Sequence, residues 1–342
     1  MIPHSRPAIG EAEADAVRKV LERGQLSQDT EVAALEDELA LFLGLKGAVA
    51  LASGSAALHL ALQVLGVRQG DEVVIPSYVC SALLNAVNYC AATPMLCDVD
   101  INLGNLDVRD CRRRISEKSK TVIIPHMFGS CFDLQPFIDT GLPLIEDCAQ
   151  SIGAENKGYK AGSRGNIAVF SFYATKVICA GEGGALASDD ESLLEAVRDL
   201  RDYDHKPEYK IRFNYKMTEI QAAIARVQLR RLPHFVTRRR EIARKFSLAA
   251  SQAGLKTPVR ESGDIFYRYI VYSDDIEGMM EYFRRKNITA AKPVFRPLHR
   301  YLNLPGFPGA EEIYRKALSI PCYPALTDVE VEEICQALES IS

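Results

Sequence analysis

Residues 142–186 read LPLIEDCAQSIGAENKGYKAGSRGNIAVFSFYATKVICAGEGGAL, and this stretch decides the fold. Pro143 to Glu146 is a short apolar run ending in acid. Asp147 is therefore predicted at the C-terminal end of a buried strand, where open α/β sheets place their ligands. A carboxylate is costly there unless a cation or strong donor complements it. After a polar, glycine-containing segment, Ala168-Val169-Phe170-Ser171-Phe172 alternates as a strand that delivers Ser171, and Lys176 follows just before a run of glycines. A buried carboxylate, a hydroxyl and one lysine at the lip of a sheet suit an aromatic aldehyde cofactor that carries phosphate.

Pyridoxal 5′-phosphate (PLP) needs those three groups: a lysine for the Schiff base, an acid for the ring nitrogen, and donors for the phosphate. Lys176 follows Asp147 by 176 − 147 = 29 residues. Taken alone, the spacing also suits a capped strand end and a solvated lysine. A second motif lies upstream, where the apolar strand Ala48 to Ala52 turns through Ser53-Gly54-Ser55-Ala56-Ala57 into a helix from Leu58 to Leu65. A glycine turn opening a helix offers free N–H groups and a positive dipole end, an anion site to which Ser55 adds a hydroxyl.

The words IEDCAQSIGA, FSFYATK, GEGGAL and SGSAAL, with NYKM at 214–217, resemble the DegT/StrS-type family of fold-type I PLP enzymes, best known as nucleotide-sugar aminotransferases. The resemblance runs from about Pro3 to Leu338. It implies an α/β fold in which a large domain with a mostly parallel sheet sandwiched by helices carries a smaller C-terminal α+β domain. It further implies Lys176 as the Schiff-base lysine, Asp147 on the pyridinium nitrogen and Gln150 beside the cofactor's 3′-oxygen. Ser171, Gly54, Ser55 and the Ala56 amide would hold the phosphate. Asn214 would reach the phosphate of a neighbouring subunit, which makes a homodimer the working unit. The family usually stacks an aromatic side chain on the ring at position 80. Here Cys80 stands there, and either its thiol packs on the ring or Tyr78 or another aromatic substitutes. Tyr215 and His299, the latter in KPVFRPLHR at 292–300, are candidate substrate contacts, with packing and loop roles as the alternatives.

The chain of 342 residues, with a net charge of −4 and acids and bases interspersed, does not read as a nucleic-acid binder living on a basic stripe. Nine scattered cysteines without a C-x-x-C pair suit reduced thiols in the cytoplasm, not a disulfide frame or a metal site. No secretory signal and no long apolar run are visible, so neither export nor a membrane span is expected.

Helical stripes are predicted over Glu11 to Arg23, Glu31 to Leu43, Ala82 to Cys90 and Glu191 to Arg201, and apolar strands over Val73 to Ile75, Met95 to Cys97 and Thr121 to Pro125. Their alternation is that of βαβ units. His126, just past a strand, could reach a substrate or play a structural part, and His59 reads as packing. Thr218 is a plausible cap for a helix over Ile220 to Val227. From about Pro233 the texture changes to a helix over Arg238 to Gln252, a strand-like run over Asp264 to Val271, and helices over Glu277 to Lys286 and Asp328 to Leu338. A boundary at 232/233 follows, with residues 1–232 as the PLP-binding domain and 233–342 as the small one.

The chemistry expected is transfer of an amino group from glutamate or glutamine to a keto sugar linked to a nucleotide. The related dehydratase branch replaces the lysine with histidine, so Lys176 points away from it. An aminotransferase acting on a non-nucleotide cyclitol ketone, and a PLP-binding regulator without turnover, are the other readings. No G-x-G-x-x-G opens a helix after the first strand, which disfavours a dehydrogenase.

Overall fold

The computed structural model describes residues 1–341. Seven strands form the central sheet: β1 (Gly47–Leu51), β2 (Glu72–Pro76), β3 (Thr93–Cys97), β4 (Ser119–Pro125), β5 (Leu144–Asp147), β6 (Ile167–Ser171) and β7 (Gly184–Ser188). Their order is β1-β7-β6-β5-β4-β2-β3. Neighbours from β3 across to β6 run parallel, while β7 runs antiparallel to both β6 and β1. Strands of a mostly parallel sheet are buried on both faces and read as continuous apolar runs. Here Val49, Ile75, Ile145 and Val169 pack on one face against α3 (Gly54–Val64) and α4 (Ala82–Tyr89). Ala48, Ala168 and Phe170 pack on the other against α2 (Thr30–Leu43) and a long helix, α6 (Glu219–Gln252). The helices α1 (Glu11–Arg23) and α5 (Glu191–Arg201) have the predicted bounds.

α2 and α6 are locked at their N-termini by one side chain. The carboxylate of Glu219 is buried and accepts the N–H groups of Asp29, Glu31 and Val32 at 2.8, 2.8 and 2.9 Å. These are donors that the first turn of a helix leaves without intrahelical partners. Asp29 makes no capping bond of its own, so the cap comes from a residue 190 positions away.

The second lobe has its own core, built on Phe246, Tyr269, Val271, Phe283, Leu318 and Ile334. It contains the antiparallel pair β8 (Tyr269–Tyr272) and β9 (Ala317–Ile320), with α7 (Ile276–Arg285) and α8 (Asp328–Glu339). Two features differ from the expected boundary. α6 runs unbroken through Pro233 for 34 residues, so position 232/233 lies inside a helix that serves both cores. Ile2 packs in the C-terminal core and bridges Ile288, so the N-terminal arm belongs to the small lobe.

Replacing Glu219 with alanine takes the acceptor from three N–H groups, of which that of Val32 is buried. It is expected to cost about 1–3 kcal/mol in denaturant unfolding, with Glu219→Gln in between. An unchanged midpoint for Glu219→Ala would remove Glu219 from its role as the shared cap.

Candidate active site

β5 ends in two acids that point to opposite faces of the sheet, as neighbours on a strand must. Glu146 is 1% exposed and accepts from His126 Nε2 at 2.7 Å and from the N–H groups of Gly162, Arg164 and Gly165 at 2.8, 2.8 and 2.6 Å. His126 Nδ1 accepts from Phe132 N–H at 3.1 Å, which places the ring proton on Nε2, directed at Glu146. Burial acts to raise the Glu146 carboxyl, but His126 and the Gly165 and Gly162 N–H groups outweigh it and hold it below the usual range. Asp147 is 7% exposed and receives one donor, the N–H of Ala149 at 3.0 Å. Burial pushes its carboxyl up, opposed in part by that N–H and by the charge of Lys176. One carboxylate is fully satisfied within the fold and the other is held waiting for a partner.

Asp147 opens into a cavity of about 240 Å³ that Gly54, Ser55, Cys80, Ser171 and Lys176 also line. The sheet brings these together because α3 starts directly above the ends of β6 and β7. A Cβ on Gly54 would lie 2.9 Å from Ser171 Cβ, and one on Gly184 would lie 2.5 Å from Gly54 N. Only glycine at both positions lets the helix terminus descend this far. Ser53 caps α3, its Oγ accepting from Ala56 N–H at 3.1 Å. The Ala56 amide, expected on the phosphate, is thus engaged, whereas the N–H groups of Gly54 and Ser55 have no place in the intrahelical ladder. Lys176 sits in the hairpin between β6 and β7, which main-chain bonds Phe172 N–H to Gly183 O (2.8 Å) and Ala174 N–H to Gly181 O (2.9 Å) hold closed. The same hairpin adds Tyr173 and Glu182 to the cavity wall. The sequence reading missed both, although their positions beside Lys176 in the motif were the available signal.

Cys80 opens onto the cavity, yet it lies deep enough that desolvation, and then the charge of Asp147, pushes its thiol up, so it stays a neutral thiol. Tyr78 cannot replace an aromatic there, being fully buried with its ring edge-on to Phe128. Gln150 commits its Oε1 to Phe128 N–H at 2.9 Å, leaving its amide NH₂ as the group it can offer.

Other expected residues lie elsewhere. His299 does not face the cavity. It is 4% exposed, with Nδ1 2.5 Å from Ser77 Oγ and Nε2 2.7 Å from Glu311 Oε1, because a buried imidazole needs partners on both nitrogens. Tyr215 stacks on Phe213 and its hydroxyl lies 3.2 Å from His59 Nδ1, beneath α3, and it does not line the cavity of its own chain. Asn214 is exposed and does not line the cavity of its own chain. His126, Glu146 and Cys148 bring three possible metal-ligand atoms within 4.8 Å of one another. His126 and Glu146 are already hydrogen-bonded together, and burial pushes the Cys148 thiol far up, so the group reads as a packed network.

PLP fits what is present. The underpartnered Asp147 suits a protonated ring nitrogen, the Gly54 and Ser55 N–H groups with Ser171 suit a phosphate, and Lys176 suits the carbonyl carbon. Similarity to known proteins agrees. Residues 7–339 match the model of the DegT/DnrJ/EryC1/StrS aminotransferase family. The chain is 31% identical to a GDP-perosamine synthase of Vibrio cholerae, with 99% of each chain covered. It superposes on the aminotransferase TlmJ of Streptoalloteichus hindustanus with a TM-score of 0.93 at 31% identity, covering 99% of this chain and 98% of that one. A putative sugar aminotransferase, Spr1654 of Streptococcus pneumoniae, solved in a PMP form, gives 0.93 at 25% identity over 99% and 97%. Fold and site thus define a fold-type I PLP-family enzyme, an aminotransferase. More narrowly, this chain belongs to the DegT/DnrJ/EryC1/StrS family.

The state of Asp147 has a measurable consequence in the cofactor-free protein. A carboxyl raised by folding contributes stability that is complete below its unfolded value near pH 4 and is lost as pH rises through its folded value. Asp147→Asn should therefore melt above wild type at pH 7 without cofactor, with the gap closing towards pH 4, while losing PLP affinity. A lower melting temperature for Asp147→Asn at pH 7 would contradict the burial penalty assigned to this carboxyl.

Proposed function

We propose that this chain is a PLP-dependent aminotransferase that moves an amino group from glutamate or glutamine to a keto sugar linked to a nucleotide. The observation that carries the reading is the buried, underpartnered Asp147 facing a cavity shared with Lys176. The name of the Vibrio cholerae relative supports a nucleotide sugar as the acceptor. When bound, PLP supplies a conjugated ring that can accept the electron pair left on a carbon once its proton departs.

Each protein group then has a task. Lys176 Nζ would form the covalent link to the cofactor and, as a free amine, would be the base that takes a proton from one carbon and returns it to another. Asp147 keeps the ring nitrogen protonated by pairing a carboxylate with it away from water. Gly54, Ser55 and Ser171 hold the phosphate. Cys80 would lie beside the cofactor as a small neutral thiol, and the Gln150 NH₂ would be the group offered to the 3′-oxygen. Asn214 completes the site of a second copy, so the unit is a homodimer. Nine free cysteines suit a reducing cytoplasm.

Purified protein incubated with PLP should develop the absorbance of a Schiff base, and borohydride should fix the cofactor mass on Lys176. Glutamate or glutamine should discharge the band, and a keto-sugar nucleotide should restore it where a free cyclitol ketone does not. Lys176→Ala should lose the fixable label and slow turnover by about 10²–10⁴-fold. Protein that remains colourless and unlabelled in PLP would end the proposal.

A further inference from the structure

Lys176 has an unexpected neighbour from the segment that follows α6. Its Nζ lies 5.5 Å from the ring centroid of Tyr267, which is 5% exposed. Among the described residues no carboxylate lies within 4.0 Å of that Nζ; Asp147 and Glu182 share the cavity but form no ion pair with it. An aromatic face within about 6 Å of an ammonium attracts it, most strongly where water is excluded.

The ring is held in place with unusual care. Gly129, at φ +94°, lets the chain pass so close that a Cβ there would lie 2.4 Å from Tyr267 N. Main-chain bonds Ile265 N–H to Gly129 O (2.9 Å) and Arg268 N–H to Phe128 O (3.2 Å) bracket the residue. Arg239 donates to the Tyr267 carbonyl at 3.3 Å, with its guanidinium 6.0 Å from the ring centroid. Arg268 lies 4.7 Å from the same centroid, with Nη2 3.4 Å from the phenol oxygen. His4 steadies Arg268, for burial and then the Arg268 charge push its imidazole down to about 3. The neutral ring accepts from Arg268 Nη1 on Nδ1 at 2.8 Å and offers Nε2 to Ser319 Oγ at 2.9 Å. Neither arginine has a carboxylate partner among the described residues; Arg239 also donates to the carbonyls of Phe266 and Cys322 at 3.2 and 2.5 Å, and the Tyr267 ring is the group that both arginines and Lys176 border.

We propose that Tyr267 is a positioning residue whose ring face receives the Lys176 ammonium whenever that amine is not bonded to a carbon. This rests on the aminotransferase reading. When Lys176 takes a proton from the amino donor's α-carbon, the C–H electron pair stays with the cofactor-bound carbon and Nζ becomes an ammonium. Tyr267 stabilises the amine in that proton-carrying state until the proton is delivered to the second carbon.

The test begins with cofactor-free protein, in which acylation of Lys176 by an amine-reactive ester at fixed pH is followed by peptide mass spectrometry. Tyr267→Phe keeps the ring face and should react within about twofold of wild type. Tyr267→pentafluorophenylalanine keeps the shape but reverses the ring's charge distribution, and should react about fivefold faster, as should Tyr267→Leu if it folds. A fluorinated variant that behaves like Tyr267→Phe would overturn the proposal, because only shape would then matter. In the loaded enzyme, the fluorinated variant should show a lower kcat at unchanged KM and a larger isotope effect with an α-deuterated donor; an unchanged isotope effect counts against the role. Wild-type protein that forms no Schiff base on Lys176 would instead defeat the aminotransferase reading, whatever the acylation rates.

Discussion

Two neighbouring carboxylates at the end of one strand govern this molecule. Alternation sends Glu146 and Asp147 to opposite faces, and the sheet treats them oppositely. Glu146 gathers a histidine and three backbone N–H groups and thereby fixes the loop at 162–165 against the sheet. Asp147 gathers one. A burial penalty that is met on one face and left open on the other separates an acid that builds the fold from one that binds.

The open acid is useful because other backbones come unusually near it. Gly54 and Gly184 remove the side chains that would keep α3 off the ends of β6 and β7, so N–H groups without intrahelical partners, a serine and a lysine converge on one small cavity. A segment from beyond α6 takes part too, since the chain around Tyr267 is pressed through the gap at Gly129 until its ring faces Lys176. The cavity itself is walled by the start of α3, by Cys80 and Ala82, and by residues 147–182.

Much of this was legible in the sequence, for reasons that also mark where legibility ended. Periodicity reports which way a backbone turns, so α1 and α5 appeared with their observed bounds. Strand β7 was not read from GEGGAL, because a strand that opens with a glycine and alternates small residues carries little apolar signal. The motif around Asp147 and Lys176 announced a cavity because its residue types are costly anywhere else. For His299 and Tyr215 the alternatives stayed open in the sequence, since a polar residue in a loop-like stretch looks the same whether its partners are ligands or Ser77, Glu311 and His59. The partnership of Glu219 with α2 spans 187 to 190 residues, a range at which local pattern carries no information.

Pro233 marked a change in composition but not a joint. α6 absorbs the missing N–H and continues, and 34 residues at 1.5 Å each make a rod of about 50 Å rooted in both cores. The lobes are therefore geared together. One continuous helix joins the place where α8 packs on α6 to Glu219, whose N–H is bonded to Leu26 O at 3.1 Å and whose carboxylate accepts from residues 29, 31 and 32. Twisting the small lobe thus drags the chain entering α2, much as turning one end of a key moves its bit.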